Sequence, residues 1–142
     1  MDDLERFKDW WLTNRPINTP PDSKLVYVAD TNGLVLYREG QYQVELFSVK
    51  PNSTIKPHVH PNVDSYEVYI AGDIVFTCDG LDYAQKELGA TIRVRPDSWH
   101  SGIFGNRGGV FLSIQKWGND VHPKFVGDDW KDKDGNKSYC VS

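Results

Sequence analysis

The sequence runs to 142 residues, with 16 basic and 20 acidic side chains, a net charge of −4 and an aromatic share of 13%. That length suits one domain around one core, and hydrophobic and charged shares of 39% and 25% describe a globular chain, not a disordered one. The acidic balance offers no electrostatic footprint for nucleic acid or an anionic membrane, and no apolar run approaches the roughly 20 residues that span a bilayer.

The opening MDDLERFKDWW places two acids where a secretory signal carries positive charge, and no apolar stretch follows. Cys78 and Cys140 lie far apart in sequence, so reduced thiols in a cytoplasmic protein are expected rather than a structural disulfide. Residues 3–14 read as an amphipathic helix, with Leu4, Phe7 and Trp11 on one stripe. Arg15-Pro16 through Pro20-Pro21 ends it. Such a helix caps a barrel end or packs on a partner subunit, which keeps a homodimer open. Residues 1–22 form this helix and its connection.

From Leu25 the period changes to two. Segments rich in Val, Ile, Tyr and Phe recur at 25–29, 34–38, 42–49, 65–71, 73–78, 90–95 and 109–116. Turn signals stand between them: Thr31-Asn32-Gly33, Glu39-Gly40, Ala71-Gly72-Asp73, Asp79-Gly80 and Asn106 to Gly109. Many short strands at this spacing predict an all-β antiparallel sandwich or barrel over residues 23–117. Residues 118–142 are polar and charged, and read as a tail docked on the barrel by Phe125 and Trp130, fraying at its end. Asp132-Lys133-Asp134-Gly135 resembles part of a calcium loop, but Trp130 stands where that loop needs its first acid, so a solvated turn is expected.

Four histidines occur, two of them in His58-Val59-His60. In a strand, side chains at i and i+2 point to one face, and two imidazoles aimed together are half of a metal site. The competing reading of an isolated HxH pair is surface polarity. His122, in the polar tail, reads as a surface histidine.

The stretch NSTIKPHVHPNVDSYEVYIAG, from Asn52 to Gly72, resembles the first motif of the cupin superfamily. GATIRVRPDSWHSGIFGN, from Gly89, resembles the second. The resemblance implies a cupin-type jelly-roll β-barrel and brings His100 beside His58 and His60 as the third ligand of one divalent metal. Asn52 stands where the family has a Gly, and Asn tolerates the positive φ such a turn needs. Ser98 replaces another Gly, and the usual Asn after the second-motif His is displaced to Asn106. Counted back from Gly72, the family's metal-binding Glu falls on Ser65, a poor ligand.

Three readings of the fourth coordination position follow. The metal has three histidines and water or substrate alone; or Glu67 reaches it; or Asp64 does. Parity puts Glu67 on the Ser65 face, inside the barrel, where a carboxylate is costly unless paired or beside a cation. The competing reading has Glu67 at the barrel mouth or paired with Arg93 or Arg95. Tyr69 shares the parity of Glu67 and is expected to line the cavity; Phe47, Phe76, Phe104 and Phe111 are further candidates, with plain core packing as the alternative.

The chain is similar to small three-histidine cupin dioxygenases. That resemblance implies an Fe2+ dioxygenase acting on a small oxygen-rich or enolisable substrate. With Mn2+, Ni2+ or Zn2+, isomerase or lyase chemistry is the alternative, with Glu67, placed inside the barrel by parity, as the candidate catalytic base. A small-molecule-binding cupin without catalysis is the reading outside enzyme chemistry, favoured by the loss of a carboxylate at Ser65.

Overall fold

The computed structural model describes residues 1–21 and 23–140. Helix α1 spans Asp3–Asn14. Asp2 caps it, accepting the Glu5 N–H at 2.9 Å, and Arg15 ends it in the left-handed region (φ 49°) just before Pro16. Nine strands follow: β1 (Val26–Val28), β2 (Thr31–Glu39), β3 (Tyr42–Val49), β4 (Ser53–Val59), β5 (Val63–Cys78), β6 (Leu81–Gln85), β7 (Thr91–Val94), β8 (His100–Trp117) and β9 (Lys131–Asp132).

All pairings between these strands are antiparallel. The first half of β5 pairs with β7 and with the second half of β8, which also pairs with β3. The second half of β5 pairs with β6 and with the first half of β8, which also pairs with β4. Thus β5 and β8 each run through both sheets of a curled barrel, as the strand pattern predicts.

The turn signals at Ala71-Gly72-Asp73 and at Asn106 to Gly109 are not chain reversals. Each lies within one long strand, where register shifts at Tyr69/Ala71 and Gly72/Ile74 bend β5 from one sheet into the other. The first reversal is also displaced: it falls at Ala29-Asp30, with Ala29 at φ 50°, and Thr31-Asn32-Gly33 opens β2. Gly33 serves packing there, since a Cβ on it would meet the Phe47 ring at 2.9 Å. Strands β4, β6 and β9 carry no clear alternation in sequence.

Alternation along β3, β8 and β5 creates two cores. Outward-facing Val44, Val68, Leu112 and Ile114 pack with Leu4 and Trp11 of α1. The helix therefore covers the outer face of a sheet rather than a barrel end. Burying Leu4 contributes about 2 kcal/mol. Arg93 pins the helix, its guanidinium bonding the Asp64 carboxylate twice at 2.7 Å and Asp2 at 2.8 Å. Inward-facing Phe47, Phe111, Trp117, Ile74, Phe76 and Val94 form the barrel core. Cys78 is buried and Cys140 exposed, both as free thiols. No described helix is long and apolar enough to cross a membrane.

Gly72 sits at φ 95° where β5 passes β8, and a Cβ there would strike the Gly108 carbonyl and approach Gly109 Cα to 2.7 Å. Gly40, at φ 57°, has nothing within 4 Å of the same position. Gly72→Ala is expected to cost about 3 kcal/mol or more in denaturant unfolding, against about 1 kcal/mol for Gly40→Ala, which adds only left-handed strain. Equal losses would show that backbone conformation alone, and not the strand crossing, governs Gly72.

Candidate metal centre

His58 lies near the end of β4, His60 just beyond it, and His100 opens β8. His58 and His100 are registered partners across the two strands. One ligand atom from each of the three rings falls within 4.8 Å of the others, and all three rings are buried. The sequence-predicted trio is thus brought together, while His122 is exposed in the tail and outside the cluster.

Each ring is oriented through its Nδ1. His58 Nδ1 meets the Lys56 carbonyl at 2.7 Å, His100 Nδ1 meets the Ser98 carbonyl at 2.9 Å, and His60 Nδ1 meets the Asp129 carbonyl. A carbonyl oxygen only accepts, so each Nδ1 carries the proton and each Nε2 keeps its lone pair. Burial then holds the rings neutral. It pushes His60 down to about 4 and His100 down to about 3, and His58 falls well below its ordinary value, through burial first and then the neighbouring imidazoles.

The Nε2 atoms of His58 and His60 lie 3.1 Å apart. Two unprotonated nitrogens at that distance repel, and a cation between them reverses the sign of the interaction. Neutral imidazoles with carbonyl-bound Nδ1–H groups are the usual ligand set of a first-row divalent ion. The residues present fit such an ion.

Among the described residues no carboxylate joins the three-ring cluster within 4.8 Å. Asp64 faces outward and is taken by Arg93, so the Asp64 reading of the fourth position fails on strand parity. Arg93 is thereby unavailable to Glu67. Ser65 turns its hydroxyl to Glu67 Oε1 at 3.3 Å, and Ser113 does the same at 3.4 Å. Glu67 Oε2 is buried without a partner among the described residues. Burial, with a smaller push from Glu45, raises the Glu67 carboxyl to about 7. Glu67 is 7% exposed, so a solvent-facing position at the barrel mouth is also excluded.

Glu67 and the three histidines line one cavity of about 60 Å³, which holds a few water-sized groups. Its walls are mostly apolar, including Phe47, Phe76 and Phe111, and no Lys or Arg is among the described residues lining it. Tyr69 and Phe104, two of the expected aromatics, pack in the core instead. Tyr69 spends its hydroxyl on the Gly72 carbonyl at 2.7 Å.

The sequence reading missed two groups of residues. One is a polar belt behind Glu67. Gln115 Nε2 donates to Ser113 Oγ at 3.1 Å and to Glu45 Oε1 at 3.0 Å, and Gln43 Nε2 donates to the same Glu45 oxygen at 2.9 Å. The parity of Gln43, Glu45 and Phe47 was the signal available for it. The other is the site-facing side of the tail, whose docking through Trp130 was expected but whose contact with the histidines was not. The Trp130 ring stacks on His58 with centroids 3.7 Å apart and planes 12° from parallel, and Val126 and Tyr139 help line the cavity. The Asp132 turn is not merely solvated: its carboxylate is buried, accepts from Trp130 Nε1 at 2.9 Å and pairs with Lys56 at 3.0 Å.

Two outcomes test this centre. His58→Ala abolishes stoichiometric uptake of a divalent ion, measured by elemental analysis after dialysis, whereas His122→Ala leaves it whole. Because burial lowers the histidines, protons compete only weakly for Nε2. Bound metal is therefore retained as pH falls through the ordinary histidine value of 6.5 and is lost further down, toward the values of about 4 and 3. Half-release at or above pH 6.5 would contradict the buried, neutral set.

No family model matches this chain, and no curated protein matches it in sequence. Solved structures do. An RmlC-like cupin from Shewanella frigidimarina superimposes with a TM-score of 0.62 at 11% identity, covering 73% of this chain and 92% of that one. KdgF from a Halomonas species gives 0.61 at 10% identity over 68% and 88%. A predicted oxalate decarboxylase from Thermotoga maritima gives 0.59 at 16% identity over 71% and 97%. At such identities the likeness speaks for architecture alone, and together with the strand order and the three gathered histidines it establishes that this chain has the cupin fold.

Proposed function

We propose that the chain is a metal-dependent enzyme acting on a small, enolisable, oxygen-rich molecule, with Fe2+ as its metal and O2 as co-substrate. The observation that carries this reading is the convergence of three neutral imidazole lone pairs on a cavity that Glu67 also lines. An ion held by His58, His60 and His100 keeps its full charge, so it supplies a strong Lewis acid for an anionic chelating ligand and, as Fe2+, reactivity toward O2.

The protein's own residues have separable tasks. The Nδ1 contacts fix the three rings. Ser65 and Ser113 hold Glu67 Oε1, leaving Oε2 without a partner. A carboxyl near 7 takes an acidic C–H proton from the substrate and returns it later. Phe47, Phe76 and Phe111 form a dry wall that accepts the apolar part of the ligand. The Thermotoga structure carries the name of a predicted oxalate decarboxylase. A second substrate carboxylate would meet no basic side chain among the described lining residues here, which favours a neutral or singly charged substrate.

The raised Glu67 favours a second reading with the same residues, an isomerase or lyase using Mn2+, Ni2+ or Zn2+, in which proton transfer is the whole reaction. The deciding experiment loads the protein with each ion and follows O2 uptake and substrate C–H exchange in D2O over a panel of diketones and 2-oxo acids. O2 uptake confined to the Fe2+ form supports the dioxygenase. Exchange without uptake supports the isomerase or lyase. Ligand binding with neither identifies a binding cupin without catalysis.

Glu67→Gln keeps shape and removes charge. It should retain metal while turnover falls about 100- to 10,000-fold. The wild-type rate should rise with pH as Glu67 ionises, with its midpoint at or below about 7 because a nearby dication favours the carboxylate. An unchanged rate and profile in the variant would remove Glu67 from the chemistry.

A further inference from the structure

Two of the three histidines take their outer support from the C-terminal segment. The Asp129 carbonyl receives His60 Nδ1–H, and the Trp130 indole lies flat on His58. The segment is itself fastened at several points. The Asp129 carboxylate accepts the Asn62 backbone N–H at 2.8 Å and the Asn62 side-chain amide at 2.6 Å. Strand β9 pairs with β4 so that Asp132 stands opposite His58. Asp132 ties the indole N–H to Lys56 of β4, and Val126 N–H reaches Glu45 Oε1 at 2.9 Å.

We infer that residues 125–132 belong to the metal-binding apparatus, with Trp130 a positioning residue for His58 and the Asp129 carbonyl for His60, so that docking of this segment and metal binding stabilise each other. This rests on the reading of the cluster as a metal site. The physical argument concerns ring freedom. His58 bonds a carbonyl two residues back in its own strand and His100 bonds one two residues back in the loop before β8, which restrains one edge of each ring. His60 has no such local partner, and its Nδ1 contact comes from sixty-nine residues away. Without the segment, His60 is free to turn and His58 loses the surface that fixes its plane. A ligand that must be ordered at the moment of binding weakens affinity, and groups that orient histidine ligands are worth about 10–100-fold.

Coupling of this kind is reciprocal. If the docked segment strengthens metal binding by some factor, bound metal shifts the segment's docking equilibrium toward the docked form by the same factor.

The test uses Co2+, whose visible absorption reports ligand geometry, with the full chain. Trp130→Ala is expected to weaken Co2+ binding about 10–100-fold and alter its spectrum, while Trp130→Phe, which restores a stacking face, recovers most of both. Hydrogen exchange of wild-type amides over residues 125–132 should slow by a comparable factor at saturating Co2+, and should not respond to Co2+ in His58→Ala. If wild-type protein binds no Co2+, the metal-site reading itself fails. If it binds, and Trp130→Ala binds equally well with exchange indifferent to Co2+, the coupling is overturned while the metal site stands. Should Trp130→Ala fail to fold, the wild-type exchange measurement decides: slowing upholds the coupling and its absence removes it.

Discussion

Each of His58, His60 and His100 gives its Nδ1 proton to a backbone carbonyl, and three unprotonated Nε2 atoms are left facing one another inside an apolar barrel. A buried acceptor without a donor costs about 1–3 kcal/mol. With every Nδ1 protonated, the 3.1 Å contact between His58 Nε2 and His60 Nε2 has no proton to share, and burial suppresses the protonation that would otherwise relieve it. The arrangement suits a cation as partner, and a cation that binds the folded chain alone would stabilise it by mass action. The register opposing His58 to His100, the irregularity in β4 between Ile55 and His58, and the long crossing strands all serve to hold this geometry.

Two buried carboxyls stand behind it, and their surroundings assign them different tasks. Cross-strand register sets Glu45, Ser113 and Glu67 side by side on the inner face. Burial raises both carboxyls to about 7. Glu45 Oε1 receives three donors at 2.9–3.0 Å, from Gln43, Gln115 and Val126. Glu67 Oε1 receives two, at 3.3 and 3.4 Å, from hydroxyls that can rotate away. Glu45 is locked into the scaffold and does not line the cavity, whereas Glu67 is loosely held and does. Of the two, Glu67 is the carboxyl placed for the proton exchange proposed above. The Ser at position 65 contributes by being small and by donating to Glu67, whose carboxyl lies two residues along the same face.

How much of this was legible beforehand follows from how local each signal is. The His58-Val59-His60 spacing, the parity of Glu67 and the positive φ at Asn52, which is 57° here, are properties of neighbouring residues, and they read through. The bends at Gly72 and near Gly108 were visible as glycine signals but not as bends. A reversal and a corner between sheets demand the same backbone freedom, and only the pairing partners distinguish them. Tyr69 shares the parity of Glu67, yet it lies next to the bend, where inward orientation means core and not cavity. Trp130 read through as an anchor of the tail, but its partner His58 and the Asp129 carbonyl were beyond reach. A carbonyl leaves no trace in residue type, and an indole seventy-two positions from its partner histidine carries no period linking the two.

Charge fixes what such a cavity accepts. With a dication held as proposed, three neutral rings and an ionised Glu67 would leave one positive charge in a space of about 60 Å³ walled partly by phenylalanines. In that dielectric an uncompensated charge is expensive, and among the described lining residues no lysine or arginine is present to balance an excess of negative charge. A singly charged chelating ligand brings the cavity to neutrality. A neutral enolisable ligand leaves the total unchanged, because the proton it gives up stays on Glu67. A dianion overshoots, and must leave a carboxylate against the aromatic wall. The absence of basic side chains among the described lining residues thus weighs against a dianionic ligand in the proposed reaction.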